Sequence, residues 1–431
     1  MPGNLPTTPD PGPRDRPATD PRSIYAARSD RNQGMATLNV LRRDGVEPSV
    51  TNMELFFDLV YVFAVTQLSH TLVEHLDART AVEVLVLFAG VWWAWNYTAW
   101  ATNYVDPDRL PVRVLLAVLM LLSLVMSASI PDAFGDRALA FAGAFVAMQL
   151  LRAGFMVWAL RGSPMGRNYL QLGIWSAFAS VFWIAGAIVD DSDARLALWA
   201  VAVLVDYGAP SIAYALPKLG RTPMSAWRLS PGHLAERCQL VVIIALGESL
   251  LINGQGFAEI DRTAATVAAF VLAFLGTVAL WWLYFARHAE AALDRVARAA
   301  DPARLGRGGY AYGHAVMVAG IIVVAVGDEV VLHHPTGHVD AAMTLTVIGG
   351  VVLYFAGMVL FTLATEGLDR QERIATVVAF AGLVVVAAIA HWLTPLLLVG
   401  LTNVVLFGLV GYAAFHARGS VTGAEVETAA G

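Results

Sequence analysis

Six ionisable residues interrupt stretches of sequence that are otherwise strongly apolar. If those stretches cross a membrane, each charge costs about 2.5–3.5 kcal/mol or more near the bilayer centre, so it needs an ion-pair partner, a hydrogen-bond partner or water. Carboxyl groups in such places can exchange protons or hold a cation. The candidates for a charge pair or a polar pathway are Glu54, Asp58, Arg152, Asp206, Glu236 and Glu248.

Glu54 and Asp58 lie one helical turn apart and therefore share one face of the first apolar segment. From the rise per residue, Asp58 lies roughly 6 Å inside its span, and Arg152 lies roughly 12–14 Å from the same end of the fourth span. We therefore predict that Arg152 pairs with Asp58, or less favourably with Glu54. Two interpretations stay open: the pair locks two helices together, or it borders a polar pathway.

Glu248 lies deep in the seventh apolar segment between Gly247 and Ser249, whose small side chains let another backbone approach closely. We expect it to share a proton with Asp206 or to bond to hydroxyl and amide groups of neighbouring helices. Desolvation favours the neutral form of such a carboxyl. This suits proton exchange or cation handling if water reaches the group, and a plain hydrogen-bonding role if it does not.

Asp206 precedes Pro210 by four residues in the sixth apolar segment. Proline removes a backbone donor and kinks a helix, which would free carbonyl groups beside the acid. Breaks of this kind form ion or substrate sites in membrane carriers. A kink that serves packing alone is the other interpretation.

Three histidines lie near acidic residues at the end of the ninth apolar segment, but their spacing matches no firm zinc pattern. We therefore predict a solvated loop and no metal site at His333, His334 and His338. Cys238 is the only cysteine, which excludes an intrachain disulfide and cysteine-based motifs. The sequence has no phosphate loop, no metalloprotease motif and no nucleic-acid signature, and we predict no cofactor.

The composition indicates where these residues must lie. Hydrophobic residues make up 57% of the 431-residue chain and charged residues only 14%, against about 25% charged in an average soluble domain. The apolar residues form long blocks, and a spanning helix needs roughly 20 of them. We predict an all-α polytopic membrane protein with about twelve transmembrane helices. The predicted spans are 54–73, 80–103, 110–130, 138–160, 168–189, 195–216, 234–253, 264–286, 310–332, 342–365, 373–391 and 394–416.

The basic residues predict the orientation, because positive charge concentrates in cytoplasmic loops. With the N-terminus in the cytoplasm, 23 of the 28 Lys and Arg residues fall on the cytoplasmic side, four fall outside, and Arg152 lies within a span. Both termini are therefore predicted to be cytoplasmic, in the inner (plasma) membrane of a bacterium. Residues 1–53 contain no apolar core, so we expect no signal peptide.

Five regions follow from this map. We predict a Pro- and Arg-rich disordered cytoplasmic tail at 1–53 and a second cytoplasmic tail at 417–431. Two six-helix membrane halves, 54–216 and 234–416, flank a cytoplasmic linker at 217–233.

The two halves share features that predict a duplication. Glu54 matches Glu236, and an aromatic cluster at 92–95 matches one at 281–284. An even number of helices per unit keeps both copies in one orientation. The arrangement would then be two parallel six-helix repeats, as in some transporters.

Two stretches carry a resemblance to a known family. The first runs from Val50 to Ala64 and reads VTNMELFFDLVYVFA; the second runs from His233 to Ser249 and ends in the element Gly-Glu-Ser. Together and in this order, they are similar to the bacterial low-temperature-requirement A (LtrA) family, over roughly residues 48–416. The resemblance implies a multi-pass membrane protein tied by name to growth at low temperature. It implies no particular substrate or reaction.

Transport is the function that these residues favour most. A proton, a monovalent cation or another small solute would follow a pathway lined by Asp58, Arg152, Asp206 and Glu248. One alternative is a membrane-embedded enzyme that modifies a lipid. Another is a structural or stress-adaptation protein whose internal charges only hold helices together. The expected partners are the lipid bilayer and the ion; a homo-oligomer is compatible with the sequence, and nucleic acid is not expected.

Overall fold

The computed structural model describes residues 40–42, 49–222, 226–227, 230–287, 306–365, 367 and 370–430. Residues Val40–Gly431 form one compact unit. Most of the predicted N-terminal tail, residues 1–39 and 43–48, lies outside the described residues, as do parts of the predicted linker.

The described residues contain twelve long α-helices and no β-strand beyond isolated bridges. The predicted all-α fold is confirmed. A π-helical turn, Gly306–Gly313, leads directly into the ninth helix. The helices are α1 (Asn52–Glu74), α2 (Ala78–Thr102), α3 (Leu110–Ala128), α4 (Ala138–Ala159), α5 (Pro164–Ile188), α6 (Ser192–Gly208), α7 (Pro231–Glu259), α8 (Ala264–Arg287), α9 (His314–His333), α10 (Ala341–Thr365), α11 (Arg370–Ile389) and α12 (Pro395–Ala430).

Eleven of these helices are long and apolar enough to cross a membrane, and the exception is α6. However, α1 and α7 run parallel, because Glu54 and Thr66 of α1 contact His233 and Glu248 of α7 in the same order. Parallel directions require an odd number of crossings between the two helices, so α6 also crosses the bundle. Its 17 residues cover roughly 26 Å, close to the thickness of the hydrocarbon layer.

The two halves of the bundle repeat one pattern of helix neighbours. In the first half α1 packs on α3, α3 on α4, and α5 on α6; in the second α7 packs on α9, α9 on α10, and α11 on α12. A duplicated six-helix unit would give this pattern, although the duplication itself stays a prediction. The helices α1, α7 and α9 also contact one another and so join the two halves.

The bundle is most tightly packed around α9. In the span Gly308–His333, which contains α9, 72% of an apolar 18-residue stretch is buried inside the protein, against 28% in the span Arg370–Trp392, which contains α11. Glycines allow α9 to approach α10 closely: a Cβ on Gly320 would lie 2.4 Å from the backbone nitrogen of Tyr354, and one on Gly350 would lie 2.6 Å from that of Val324. These positions therefore require glycine because two backbones meet there.

The segment after α6 folds back against α5. Leu216 and Gly220 form an antiparallel bridge, and Lys218 at its tip has a φ of 68°. Gln171 of α5 donates hydrogen bonds to the carbonyl oxygens of Leu219 at 3.1 Å and Gly220 at 3.3 Å. The start of the predicted linker is therefore fixed to the bundle.

Candidate functional site

A capping box at the start of α1 places the first acid of the site. The Thr51 hydroxyl accepts a hydrogen bond from the Glu54 N–H at 3.4 Å, and the Glu54 carboxylate accepts one from the Thr51 N–H at 2.9 Å. This reciprocal arrangement satisfies two backbone donors at the helix start. It holds Glu54 in the first turn, with Asp58 one turn further.

The helices α1 and α7 begin at the same end of the bundle. We call this end proximal and the opposite end distal.

Arg237 of α7 contacts both carboxylates. Its guanidinium donates from Nε to Oδ2 of Asp58 at 2.8 Å and from Nη2 to Oδ1 at 2.5 Å. Nη1 donates to Oε1 of Glu54 at 3.2 Å and to the hydroxyl of Thr102 on α2 at 3.1 Å. All three charged side chains are fully buried. Because a two-point contact fixes the orientation of the guanidinium, it holds α1 and α7 in register.

Further groups surround the two carboxylates. Nε2 of His233 lies 2.8 Å from Oε1 of Glu54, and Nη2 of Arg42 donates to the same carboxylate at 3.2 Å. Nε1 of Trp95 donates to Oδ1 of Asp58 at 2.7 Å. Two carboxylates face two arginines, so the group is neutral when His233 is uncharged. We call it the proximal cluster: Arg42, Glu54, Asp58, His233 and Arg237.

The described part of the predicted tail takes part in this cluster. Leu41 forms an antiparallel bridge with Val105, and Nε of Arg42 donates to the carbonyl oxygen of Thr102 at 2.7 Å. The Arg42 side chain is 16% exposed, whereas that of Glu54 is fully buried. Arg42 therefore separates the buried acids from the proximal surface.

The predicted pair between Arg152 and Asp58 is wrong. Arg152 is buried in α4 and donates to the carbonyl oxygen of Ala94 at 3.1 Å, to the hydroxyl of Thr98 at 3.0 Å and to the side-chain carbonyl of Gln149. Ala94 and Thr98 belong to α2, which packs on both α1 and α4. Arg152 therefore meets α2, while Asp58 meets α7.

The true partner is Arg237, one of the 23 basic residues that the predicted orientation places on the cytoplasmic side. His233 and Arg237 are four residues apart, as are Glu54 and Asp58. Equal spacing on two parallel helices places the basic pair opposite the acidic pair. This complementary spacing is the sequence signal that could have identified the proximal cluster.

Glu248 lies further along α7 and contacts α1. Oγ1 of Thr66 lies 2.5 Å from Oε1 of Glu248 and 3.0 Å from the carbonyl oxygen of Val62. Glu248 is only 4% exposed. In the part of the chain that the structure describes, Thr66 is its hydrogen-bond partner, and no basic group lies within ion-pair distance. The prediction that Glu248 bonds to a hydroxyl group of a neighbouring helix is confirmed by Thr66. Asp206, the other predicted partner, does not contact Glu248.

More polar groups lie on α1, α7 and α9 towards the distal end. His70 of α1 lies within electrostatic range of both Glu248 and Glu329 of α9. Asn253 of α7 lies next to Asp328 of α9, yet its amide and Oδ2 of Asp328 form no hydrogen bond of normal geometry. These residues contain three carboxyl groups and one imidazole. We call them the distal cluster: His70, Glu248, Asn253, Asp328 and Glu329.

A polar residue on α1 lies between the two clusters. About 12 Å of helix separate Asp58 from Thr66. Tyr61 lies in this interval, buried, within electrostatic range of Asp58 and Arg237. Its hydroxyl has no hydrogen-bond partner among the described residues. α1 therefore has one buried polar side chain, Tyr61, in the interval between the two clusters, and Arg152 lies within electrostatic range of it as well.

Asp206 has contacts of its own. It accepts a hydrogen bond from Nε1 of Trp183 at 3.2 Å and lies within electrostatic range of Arg152. The predicted kink at Pro210 is wrong, because α6 ends at Gly208 and the proline lies in the turn that follows. The proline therefore ends the helix at a point where the prediction extended it to residue 216.

Glu236, the predicted counterpart of Glu54, is exposed on α7 and accepts a hydrogen bond from the Val50 N–H at 3.2 Å. Glu54 is fully buried, so the two acids occupy different environments. The predicted residues therefore do not converge on one contact network. Glu54 and Asp58 lie in the proximal cluster, Glu248 lies in the distal cluster, and Asp206 lies near Arg152. Glu236 lies outside all three groups.

Twelve long helices with buried charge clusters define a polytopic α-helical membrane protein. Residues 49–411 match the family described as bacterial low temperature requirement A protein (LtrA), and the chain belongs to that family. The resemblance found in the sequence is confirmed. The chain is also similar to an uncharacterized protein of Rhizobium meliloti (strain 1021), with 36% identity over 320 residues, or 74% of this chain and 78% of the relative. No solved structure gives a significant match.

Proposed function

We propose that this protein transports protons, alone or together with a monovalent cation or small solute, along the contact between α1, α7 and α9. The observation that carries the proposal is the contact between Thr66 and Glu248. We further propose a bacterial inner membrane as its location, with the proximal end and both termini in the cytoplasm, because the distribution of arginine favours that orientation.

The Thr66 hydroxyl has one hydrogen but two acceptors in reach, the Val62 carbonyl oxygen at 3.0 Å and Oε1 of Glu248 at 2.5 Å. If Glu248 is protonated, it donates to Oγ1 of Thr66, and Thr66 donates to Val62, so each group has a partner. If Glu248 is ionised, Thr66 turns its hydrogen towards the carboxylate. The contact between Thr66 and Glu248 thus accommodates both protonation states of Glu248 without moving a heavy atom. A group that carries protons must be stable in both states.

Depth in the membrane favours the protonated form of Glu248 at rest. An unpaired carboxylate near the bilayer centre costs about 2.5–3.5 kcal/mol or more, and no described basic group pairs with Glu248. The proton can leave only if other groups can receive it. His70 lies within electrostatic range of Glu248 on the distal side, and Glu329 lies within range of His70, which makes them the candidates.

Asp58 has a different role in this proposal. Its carboxylate accepts two hydrogen bonds from Arg237 and one from Trp95, and hydrogen bonds to the charged form stabilise that form. Asp58 therefore stays ionised. We assign it, with Arg237, the role of holding α1 and α7 in register so that Thr66 stays opposite Glu248.

The test is proton flux into proteoliposomes that contain a pH-sensitive dye, with potassium and sodium gradients applied separately. Glu248→Gln keeps the shape but removes the ionisable group, so flux should fall to background. Thr66→Val should lower flux roughly 10-fold, the effect of one lost hydrogen bond, and Thr66→Ser should restore it. Glu74→Gln, at an exposed position at the end of α1, is the matched control and should transport like wild type.

Wild-type flux in a folded Glu248→Gln variant would contradict the proposal. No flux in the folded wild-type protein with any gradient would favour the second candidate, a structural membrane protein. That candidate is supported by Arg152 and Arg237, whose hydrogen bonds join neighbouring helices.

A further inference from the structure

A cavity of about 730 Å³ opens at the proximal end of the bundle, between the end of α4, the start of α5 and the segment after α6. Three arginines line it: Arg161, Arg167 and Arg221. The described residues that line it include no Asp or Glu. Within the described ranges, none of the three guanidinium groups forms a salt bridge, and Arg161 lies over the ring of Trp158. The cavity therefore carries uncompensated positive charge.

The start of α5 adds donors to the same cavity. Asn168 is 7% exposed, and the one acceptor near its amide nitrogen among the described residues is the Met165 sulfur at 3.7 Å, a weak partner. A buried amide donor beside the arginines is thus free to take a stronger acceptor. The N-terminal end of this 25-residue helix also carries partial positive charge.

The cavity wall is held in place before any ligand binds. The Thr222 hydroxyl lies 3.2 Å from Oδ1 of Asn168 and also contacts Gln171, and both Thr222 and Gln171 are buried. Gln171 in turn bonds to the backbone that leads to Arg221. Preorganised donors bind a ligand with little loss of conformational entropy.

One edge of the cavity is apolar. Val157 and Leu170 line it, and Leu170 is 41% exposed on a helix that spans the membrane. The volume falls within the range of roughly 300–1,000 Å³ that is typical of small-molecule sites, and it exceeds what a single phosphate ion needs.

We propose that this cavity binds a phosphate-bearing ligand, with the guanidinium groups of Arg161, Arg167 and Arg221 and the Asn168 amide around the phosphate oxygens. Guanidinium groups match the geometry of phosphate and remain charged at all physiological pH values. The phosphate belongs either to an anionic phospholipid of the adjacent leaflet or to a soluble compound. The apolar edge favours the lipid. The site is independent of the proposed transport activity.

The experiment measures binding of phosphatidylglycerol to the full-length protein in neutral detergent by native mass spectrometry, with inorganic phosphate as the soluble competitor. The double variant Arg167→Gln/Arg221→Gln should bind the lipid roughly 30-fold more weakly, the effect of removing two arginines beside an anionic headgroup. The matched control is Arg370→Gln/Arg373→Gln at the start of α11, which should bind like wild type.

Displacement of the lipid by inorganic phosphate in the wild-type protein would support a shared phosphate site. Phosphate binding that depends on the two arginines, without lipid binding, would support the site and assign a soluble ligand. Unchanged binding of both probes in the double variant would overturn the proposal. Arg161→Gln provides a second, milder variant. In each variant, protection of the buried Cys238 from a thiol reagent verifies that the protein is folded.

Discussion

Replacing Arg237 by glutamine removes the cation that the two buried acids of α1 share. Arg237 donates two hydrogen bonds to Asp58 and one to Glu54, and all three side chains are fully buried. Removing one partner of a buried ion pair costs about 3–5 kcal/mol, because the other charge stays buried without compensation. Arg42 still contacts Glu54, so the loss falls chiefly on Asp58.

A double variant isolates the electrostatic part of this loss. Asp58→Asn combined with Arg237→Gln removes both charges and leaves two amides that can bond to each other. We expect its loss of stability to be smaller than the sum of the two single losses by about 1–3 kcal/mol, within the range of coupling energies for residues in direct contact.

The assay is thermal unfolding in detergent, followed by the reaction of Cys238 with a thiol-reactive fluorophore. Cys238 is the only cysteine of the chain and is fully buried, so its reaction reports unfolding. At about 2–4 °C per kcal/mol, Arg237→Gln should lower Tm by on the order of 10 °C. Arg370→Gln, at an exposed position, is the control and should change it little.

Two results would refute this reasoning. One is an Arg237→Gln variant that melts within about 2 °C of wild type, which corresponds to less than roughly 1 kcal/mol. The other is a double variant whose Tm falls by the sum of the two single shifts, since additive effects mean that Asp58 and Arg237 do not interact.

Packing and hydrogen bonding can be tested in the same assay. A Cβ on Gly350 would lie 2.6 Å from the backbone nitrogen of Val324, while one on Gly349 would meet nothing within 4 Å. Gly350→Ala should therefore lower the free energy of unfolding by about 1–3 kcal/mol, and Gly349→Ala should raise it by up to about 1 kcal/mol. Equal changes in the free energy of unfolding for the two variants would argue against close contact of α9 and α10. Trp95→Phe removes the 2.7 Å hydrogen bond to Asp58 and should cost about 1.5–3 kcal/mol. The same change should cost less in an Asp58→Asn background, and an equal cost there would show that the bond is unimportant.

The sequence by itself determined the membrane architecture. Each span depends on the composition of about 20 consecutive residues, so it can be identified without knowing the neighbours of the helix. By the same local criterion Glu54, Asp58 and Glu248 lie inside spans, and the stretch that begins at Val50 carries the resemblance to the family.

Only the tertiary structure decided which charges meet. Depth along a helix can be counted from sequence, but the direction in which a side chain points and the helix it faces depend on packing. Arg152 was within the range of depths expected for a partner of Asp58, yet α2 supplies its partners. Arg237, 179 residues after Asp58, binds it instead because α1 and α7 pack side by side and parallel. Pairing of buried charges is a property of helix neighbours and their rotation, and neither can be read from one apolar segment alone.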